Sequence, residues 1–156
     1  MSNLPSLLAK RLTRLHWMLS TAESCTGGMI ASHCTDLPGS SVWFDRAYIT
    51  YSNASKTQML GVSTEAIHEH GAVSEVVARA MALGAVYRSN ANVSVAVTGV
   101  AGPTGGSAVK PVGTVWLAWY VNGQVTAELK HFAGDRHEVR ESTTEHALQG
   151  LIHRLT

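Results

Sequence analysis

Near the middle of the chain, Val93–Thr98 carries no charge and is almost wholly small and apolar. A short run of this kind suits a strand buried on both faces. Such a strand needs cover from two sides, and the flanking sequence supplies it as helices. Leu4, Leu7, Leu8, Leu12, Leu15 and Leu19 recur at steps of three or four, an apolar helical face with Lys10, Arg11 and Arg14 opposite. Pro5 falls in its first turn, where a missing N–H does no harm. Met18–Ala22 reads as a strand and Met29–Cys34 as a short helix. Val42–Tyr51, rich in aromatic and β-branched residues, reads as a second strand. Ser52-Asn53 caps a helix over Ala54–Leu60 that Gly61 ends, and Ser63-Thr64-Glu65-Ala66 opens another turn or two ending at Gly71. Ser74-Glu75 opens a longer helix through Arg88. Val112–Val121 and Gln124–Phe132 form a hairpin about Asn122-Gly123, a pair that favours positive φ at both turn positions. A last helix spans Arg136–Arg154. Helices and strands interleave, with one antiparallel pair. The fold class is therefore α/β, a mixed sheet with helices on both faces.

A length of 156 residues suits one domain, 1–156. Apolar residues make up 45% and charged residues 15%, which excludes a disordered chain. A formal net charge of +1 argues against a dedicated nucleic-acid binder. No apolar stretch is long enough for a membrane span, and the N-terminal leucines are interrupted by Lys10, Arg11 and Arg14, unlike a signal peptide. The two cysteines, Cys25 and Cys34, read as reduced thiols of a cytoplasmic protein. His68 and His70 are two apart rather than four, so no metal is expected.

Three loops, each following an expected strand, carry the candidate chemistry. Ala22–Gly28 leads into a helix N-terminus whose N–H groups could hold a phosphate, with hydroxyls from Ser24 and Thr26; a plain capped turn is the bland alternative. Pro38–Ser41, if it folds back on the strand end, joins Tyr51 and Lys56 in one neighbourhood. A serine hydroxyl becomes a nucleophile when a lysine of lowered pKa takes its proton. The alternative is a solvated Lys56 and a packing Tyr51. Thr98–Gly106 has a glycine-bare backbone suited to a ligand, yet matches neither a Walker A loop nor a Rossmann fingerprint. Gly134-Asp135-Arg136, with Arg140, is either a phosphate clamp or an ordinary helix cap.

Taken in order, AESCTGG (22–28), PGSS (38–41), YSNASK (51–56), GAVS (71–74), TGVAGPTGG (98–106), KPVGTVW (110–116) and GDR (134–136) resemble the CinA C-terminal domain family. The resemblance runs from about Thr21 to the last helix. It implies a three-layer α/β/α sandwich around a roughly five-stranded mixed sheet, in a single-domain, stand-alone form. It implies an amidase that converts nicotinamide mononucleotide to nicotinic acid mononucleotide and ammonia, without cofactor or metal. The expected partners are a small pyridine nucleotide and a second copy in a homodimer, with no nucleic acid and no membrane.

On that resemblance Ser41 is the expected nucleophile, with Lys56 and Tyr51 as the activating base and Ser24 and Thr98 relaying a proton or orienting the amide. Ser24 as nucleophile with Ser41 as relay is the alternative. Thr26, Gly27, Gly39, Ser40, Gly99, Gly102, Gly105 and Gly106 are expected around the substrate, and Arg136 and Arg140 on its phosphate. Two other readings are a non-catalytic nucleotide-binding protein linked to competence or DNA damage, and an amidase for a different pyridine amide.

Overall fold

The computed structural model describes residues 3–155. Met1, Ser2 and Thr156, which the expected domain 1–156 includes, lie outside the described residues. The helices are α1 (Leu4–Leu15), α2 (Met29–Thr35), α3 (Asn53–Leu60), α4 (Thr64–His70), α5 (Glu75–Tyr87) and α6 (Arg136–Arg154). The strands are β1 (Leu19–Glu23), β2 (Phe44–Ile49), β3 (Val93–Gly99), β4 (Thr114–Val121) and β5 (Gln124–His131). The sheet order is β2-β1-β3-β4-β5. β1 is parallel to both β2 and β3, while β4 is antiparallel to both β3 and β5.

Side-chain alternation along the strands builds the layers. Val93, Val95, Val97, Val115, Leu117 and Trp119 point to one face and pack with Leu8 and Leu12 of α1, Ile30 of α2, and Leu148 and Leu151 of α6. Ala22, Ala96 and Ala118 point to the other face and meet Val77, Ala78, Met81 and Ala85 of α5. The result is the three-layer α/β/α sandwich. The chain crosses from β1 to β2 in one direction and returns past β1 to β3. With crossovers of one hand, that reversal puts α2 and α3–α5 on opposite faces. The small residues of the second face let α5 come close. At Gly84 a Cβ atom would stand 2.2 Å from the carbonyl oxygen of Leu60.

Several expected ends shift by a residue or two, among them the start of β4, expected at Val112 and found at Thr114, and two of the shifts change what a residue does. His16 adopts φ 57°, which closes α1 at Leu15, so Leu19 belongs to β1 rather than to the helical face. The strand expected from Val42 starts at Phe44; Ser40–Val42 form a 3-10 turn, and Val42 is 64% exposed. The hairpin forms as expected, with φ 54° at Asn122 and 75° at Gly123.

Candidate active site

The carboxyl ends of the three parallel strands open into one cavity of about 270 Å³. This is the end of an open α/β sheet at which ligands commonly bind. Ser24 leaves β1, Tyr51 follows β2, and Thr98 and Gly99 end β3, and all four line the cavity. Lys56, on the first turns of α3, forms part of the same wall. Ser52 sets that helix by accepting from Ser55 N–H.

Lys56 is 1% exposed. Its Nζ lies 3.0 Å from Ser24 Oγ, 2.9 Å from the Thr50 carbonyl and 3.4 Å from the Tyr51 carbonyl. Burial lowers its pKa below the ordinary lysine value, and no carboxylate offsets the effect. Cys25, beside Ser24, is pushed up to about 12 by burial, so its thiol stays protonated near neutrality. Thr98 Oγ1 donates to the Ala72 carbonyl at 3.0 Å. With its proton committed, that hydroxyl can meet a ligand as an acceptor. Arg136, the first residue of α6, donates from Nη1 to the Gly102 carbonyl at 2.8 Å and from Nη2 to Tyr51 Oη at 2.9 Å. A capping box holds this helix start: Glu138 N–H donates to Asp135, and Asp135 N–H donates to Glu138.

The structure therefore brings Ser24, Lys56, Tyr51, Thr98, Gly99, Gly102, Gly105 and Arg136 together. It does not bring Ser41, Gly39 or Ser40. The β1–β2 register sets Phe44 beside Leu19 and Ile49 beside Glu23, so the PGSS turn sits at the opposite end of β2 from Lys56. The strand itself accounts for roughly 17 Å of separation, at about 3.3 Å per residue. Ser41 is exposed, and the turn borders a separate groove with Lys10, Arg14 and Trp43. Within one chain, the expected Ser41–Lys56 pairing is thus replaced by Ser24–Lys56. Tyr51 meets Lys56 through its carbonyl only; its phenol is turned to Arg136.

The expected anion cradle at the start of α2 is already filled. Glu23, 0% exposed, accepts at Oε1 from Thr26 Oγ1 at 2.7 Å, Gly28 N–H at 3.1 Å and Ile30 N–H at 3.0 Å. Its Oε2 accepts from Thr21 Oγ1 at 3.1 Å and Ala31 N–H at 2.9 Å. Thr26 is buried and Gly27 exposed, and neither lines the cavity. Arg140 also turns away from the cavity, donating from Nε to the Cys25 carbonyl and from Nη2 to the Thr26 carbonyl, both at 3.0 Å. Gly106 packs on Val112, whose backbone nitrogen would lie 2.8 Å from a Cβ there.

The chain matches the model of the CinA C-terminal domain over residues 1–155. It belongs to the CinA C-terminal domain family. It is 51% identical over 151 residues to the nicotinamide-nucleotide amidohydrolase PncC of Pseudomonas putida, covering 97% of this chain and 94% of that one. It is 50% identical over 134 residues to the protein of the same name from Escherichia coli K12, covering 85% and 81%. Among solved structures, the competence/damage inducible protein CihA of Agrobacterium tumefaciens superposes with a TM-score of 0.96 at 48% identity, covering 99% of this chain and 95% of that one. The CinA-family motifs also hold lining residues that residue-type reasoning passed over. Asn53 lies inside YSNASK, and Ala72 and Val73 lie inside GAVS. Glu23 was legible only as a lone carboxylate between two threonines just before a helix start.

Proposed function

We propose that this chain hydrolyses the carboxamide of nicotinamide mononucleotide, with Ser24 as nucleophile and Lys56 as its base. The observation that carries the reading is the buried Lys56 Nζ at 3.0 Å from Ser24 Oγ on the cavity wall. Neutral Lys56 takes the hydroxyl proton as Ser24 Oγ bonds to the amide carbon. Backbone N–H groups of the Gly99–Gly105 loop stabilise the oxyanion. The lysine then passes the proton to the departing nitrogen, the C–N bond breaks, and ammonia leaves an acyl-serine. Water attacks this ester with Lys56 again taking the proton, and Ser24 leaves with a proton returned to it. Thr98 Oγ1 accepts from the amide N–H2, and Arg136 holds the phosphate. The names of the Pseudomonas putida and Escherichia coli relatives support the substrate.

The same reading takes residues 1–156 as one amidase domain, supported by a single sheet on which the helices of both layers pack. It also takes the active form as a cytoplasmic homodimer. Exposed apolar side chains such as Tyr87 at 69% and Leu129 at 43% offer surface for a second copy. No helix among the described residues is long and apolar enough to cross a membrane. The test is ammonia release from nicotinamide mononucleotide, free nicotinamide and the dinucleotide, with chelator present. Turnover of the mononucleotide that disappears in Ser24→Ala supports the reading. Nucleotide binding without turnover would favour the non-catalytic alternative.

A further inference from the structure

Ser24 sits on a loop, residues 24–28, built from small residues, of which only Cys25 packs into the apolar core. Backbone bonds set its path: Ser24 N–H to the Val97 carbonyl, Gly27 N–H to the Ser24 carbonyl and Met29 N–H to the Thr26 carbonyl, each at 3.1 Å, and Ser32 N–H to the Gly28 carbonyl at 2.9 Å. Two charged side chains add bonds from either side. The Glu23 carboxylate takes the loop's donors, Thr26 Oγ1 and Gly28 N–H, and continues into α2 at Ile30 and Ala31. The Arg140 guanidinium takes its acceptors, the Cys25 and Thr26 carbonyls. Gly27 takes φ 59°, a left-handed turn that favours glycine, and its Cα hydrogens face Arg140 Nη2, which a Cβ there would meet at an ordinary 3.4 Å.

We propose that Glu23 and Arg140 are positioning residues, a two-sided clamp on the 24–28 loop that sets Ser24 Oγ against Lys56 Nζ. This rests on the serine–lysine reading above. A plain helix start is capped by a single exposed hydroxyl or carboxylate. A fully buried carboxylate with five donors is a costlier arrangement, because each lost partner leaves a buried charge-bearing group unmet. The loop it holds carries the proposed nucleophile. Arg140 lies one turn after Arg136 on α6, so a single helix face holds the cavity rim and braces the nucleophile loop. A displacement of about 1 Å in such a site can cost roughly 10²-fold in rate.

The test measures kcat and KM for nicotinamide mononucleotide in Glu23→Gln, Arg140→Lys and Arg140→Ala, with melting temperatures alongside. The expected result is a fall in kcat of tenfold or more in Glu23→Gln and Arg140→Ala that exceeds any rise in KM. Arg140→Lys, which keeps a cation able to reach one carbonyl, should fall between wild type and Arg140→Ala. Added guanidinium chloride at non-denaturing concentration should return part of the kcat of Arg140→Ala. If Arg140→Ala does not fold, Arg140→Lys and Glu23→Gln carry the comparison. A kcat loss below tenfold overturns the clamp, and so does a rise in KM larger than the fall in kcat, which would place Arg140 on the substrate. Ser24→Ala, assayed in parallel, reads the underlying assignment separately. Activity surviving in Ser24→Ala defeats the nucleophile, whereas its loss beside near-normal kcat in the clamp variants defeats the clamp alone.

Discussion

An amine with three oxygen neighbours can hold three protons or two. Charged, Lys56 donates to Ser24 Oγ and to the Thr50 and Tyr51 carbonyls. Neutral, it can still donate to both carbonyls, and its lone pair then faces the serine proton. Burial favours the neutral form. kcat/KM should therefore rise with pH to a plateau, with a midpoint below the ordinary lysine value of about 10.4. A flat profile from pH 6 to 9 would remove Lys56 as the titrating base. Lys56→Met should cost roughly 10²–10⁴-fold in kcat/KM, the usual worth of general base catalysis. The same depressed pKa carries a stability consequence. Between the folded pKa and the unfolded value, the unfolded chain binds the extra proton, so stability rises with pH in that window. Wild type should gain melting temperature relative to Lys56→Met as pH climbs from 7 towards 10, and an unchanged difference would contradict the burial argument. Cys25 behaves oppositely. Burial holds its thiol protonated, so Cys25→Ala should keep kcat within a few fold, and a thiol-alkylating reagent at neutral pH should leave Cys25 unmodified and activity unchanged.

The helices place these side chains through their ends and their closest contacts. α6 presents Arg136 in its first turn, behind the Asp135–Glu138 capping box. Asp135→Ala should cost about 1 kcal/mol in urea unfolding and raise KM, because the turn that aims Arg136 frays. A KM equal to wild type at that loss of stability would show that the cap does not aim the arginine. α5 lies on the alanine face of the sheet and against α3 at Gly84. Gly84→Ala should destabilise by about 1–3 kcal/mol through overpacking, since the contact there is the Leu60 backbone carbonyl, which has no rotamer to yield. α3 begins at Asn53 and carries Lys56, so the same substitution should also lower kcat.

Across the whole molecule, the cavity exists because three parallel strands end on one side of the sheet. Loops separated by tens of residues, after β1, β2 and β3, meet there, and α6 closes the rim from the end of the chain. Arg136 is the side chain that joins α6 to that rim. Arg136→Ala should raise KM for nicotinamide mononucleotide roughly tenfold to a hundredfold, the worth of one bond to a charged group at about 1.5–3 kcal/mol. Free nicotinamide, lacking the phosphate, should show no such change. An equal KM shift for both would mean that Arg136 serves the rim rather than the phosphate.

Much of this architecture follows from local chemistry. Asn122-Gly123 dictates its hairpin, Asp135 and Glu138 start α6, and Val93–Val97 announces a strand covered on both faces. These depend on neighbours within a few residues, where propensity and periodicity act. The motif order was equally legible and led to the CinA family. Which serine faces Lys56 was not, because Ser24 and Ser41 are alike as loop serines. Strand direction separates them: the parallel pairing of β1 with β2 brings the residue after β1 to the carboxyl end of the sheet and leaves the residues before β2 at the other. The partners of Arg136 and Arg140 were hidden for the same reason. Both arginines sit on one helix four residues apart, and only the packing of α6 on the sheet face over β3 and β4 sends one to the cavity rim and the other to the serine loop. Short-range chemistry specifies the elements and the candidate side chains. Long-range pairing and packing decide which of them share a site.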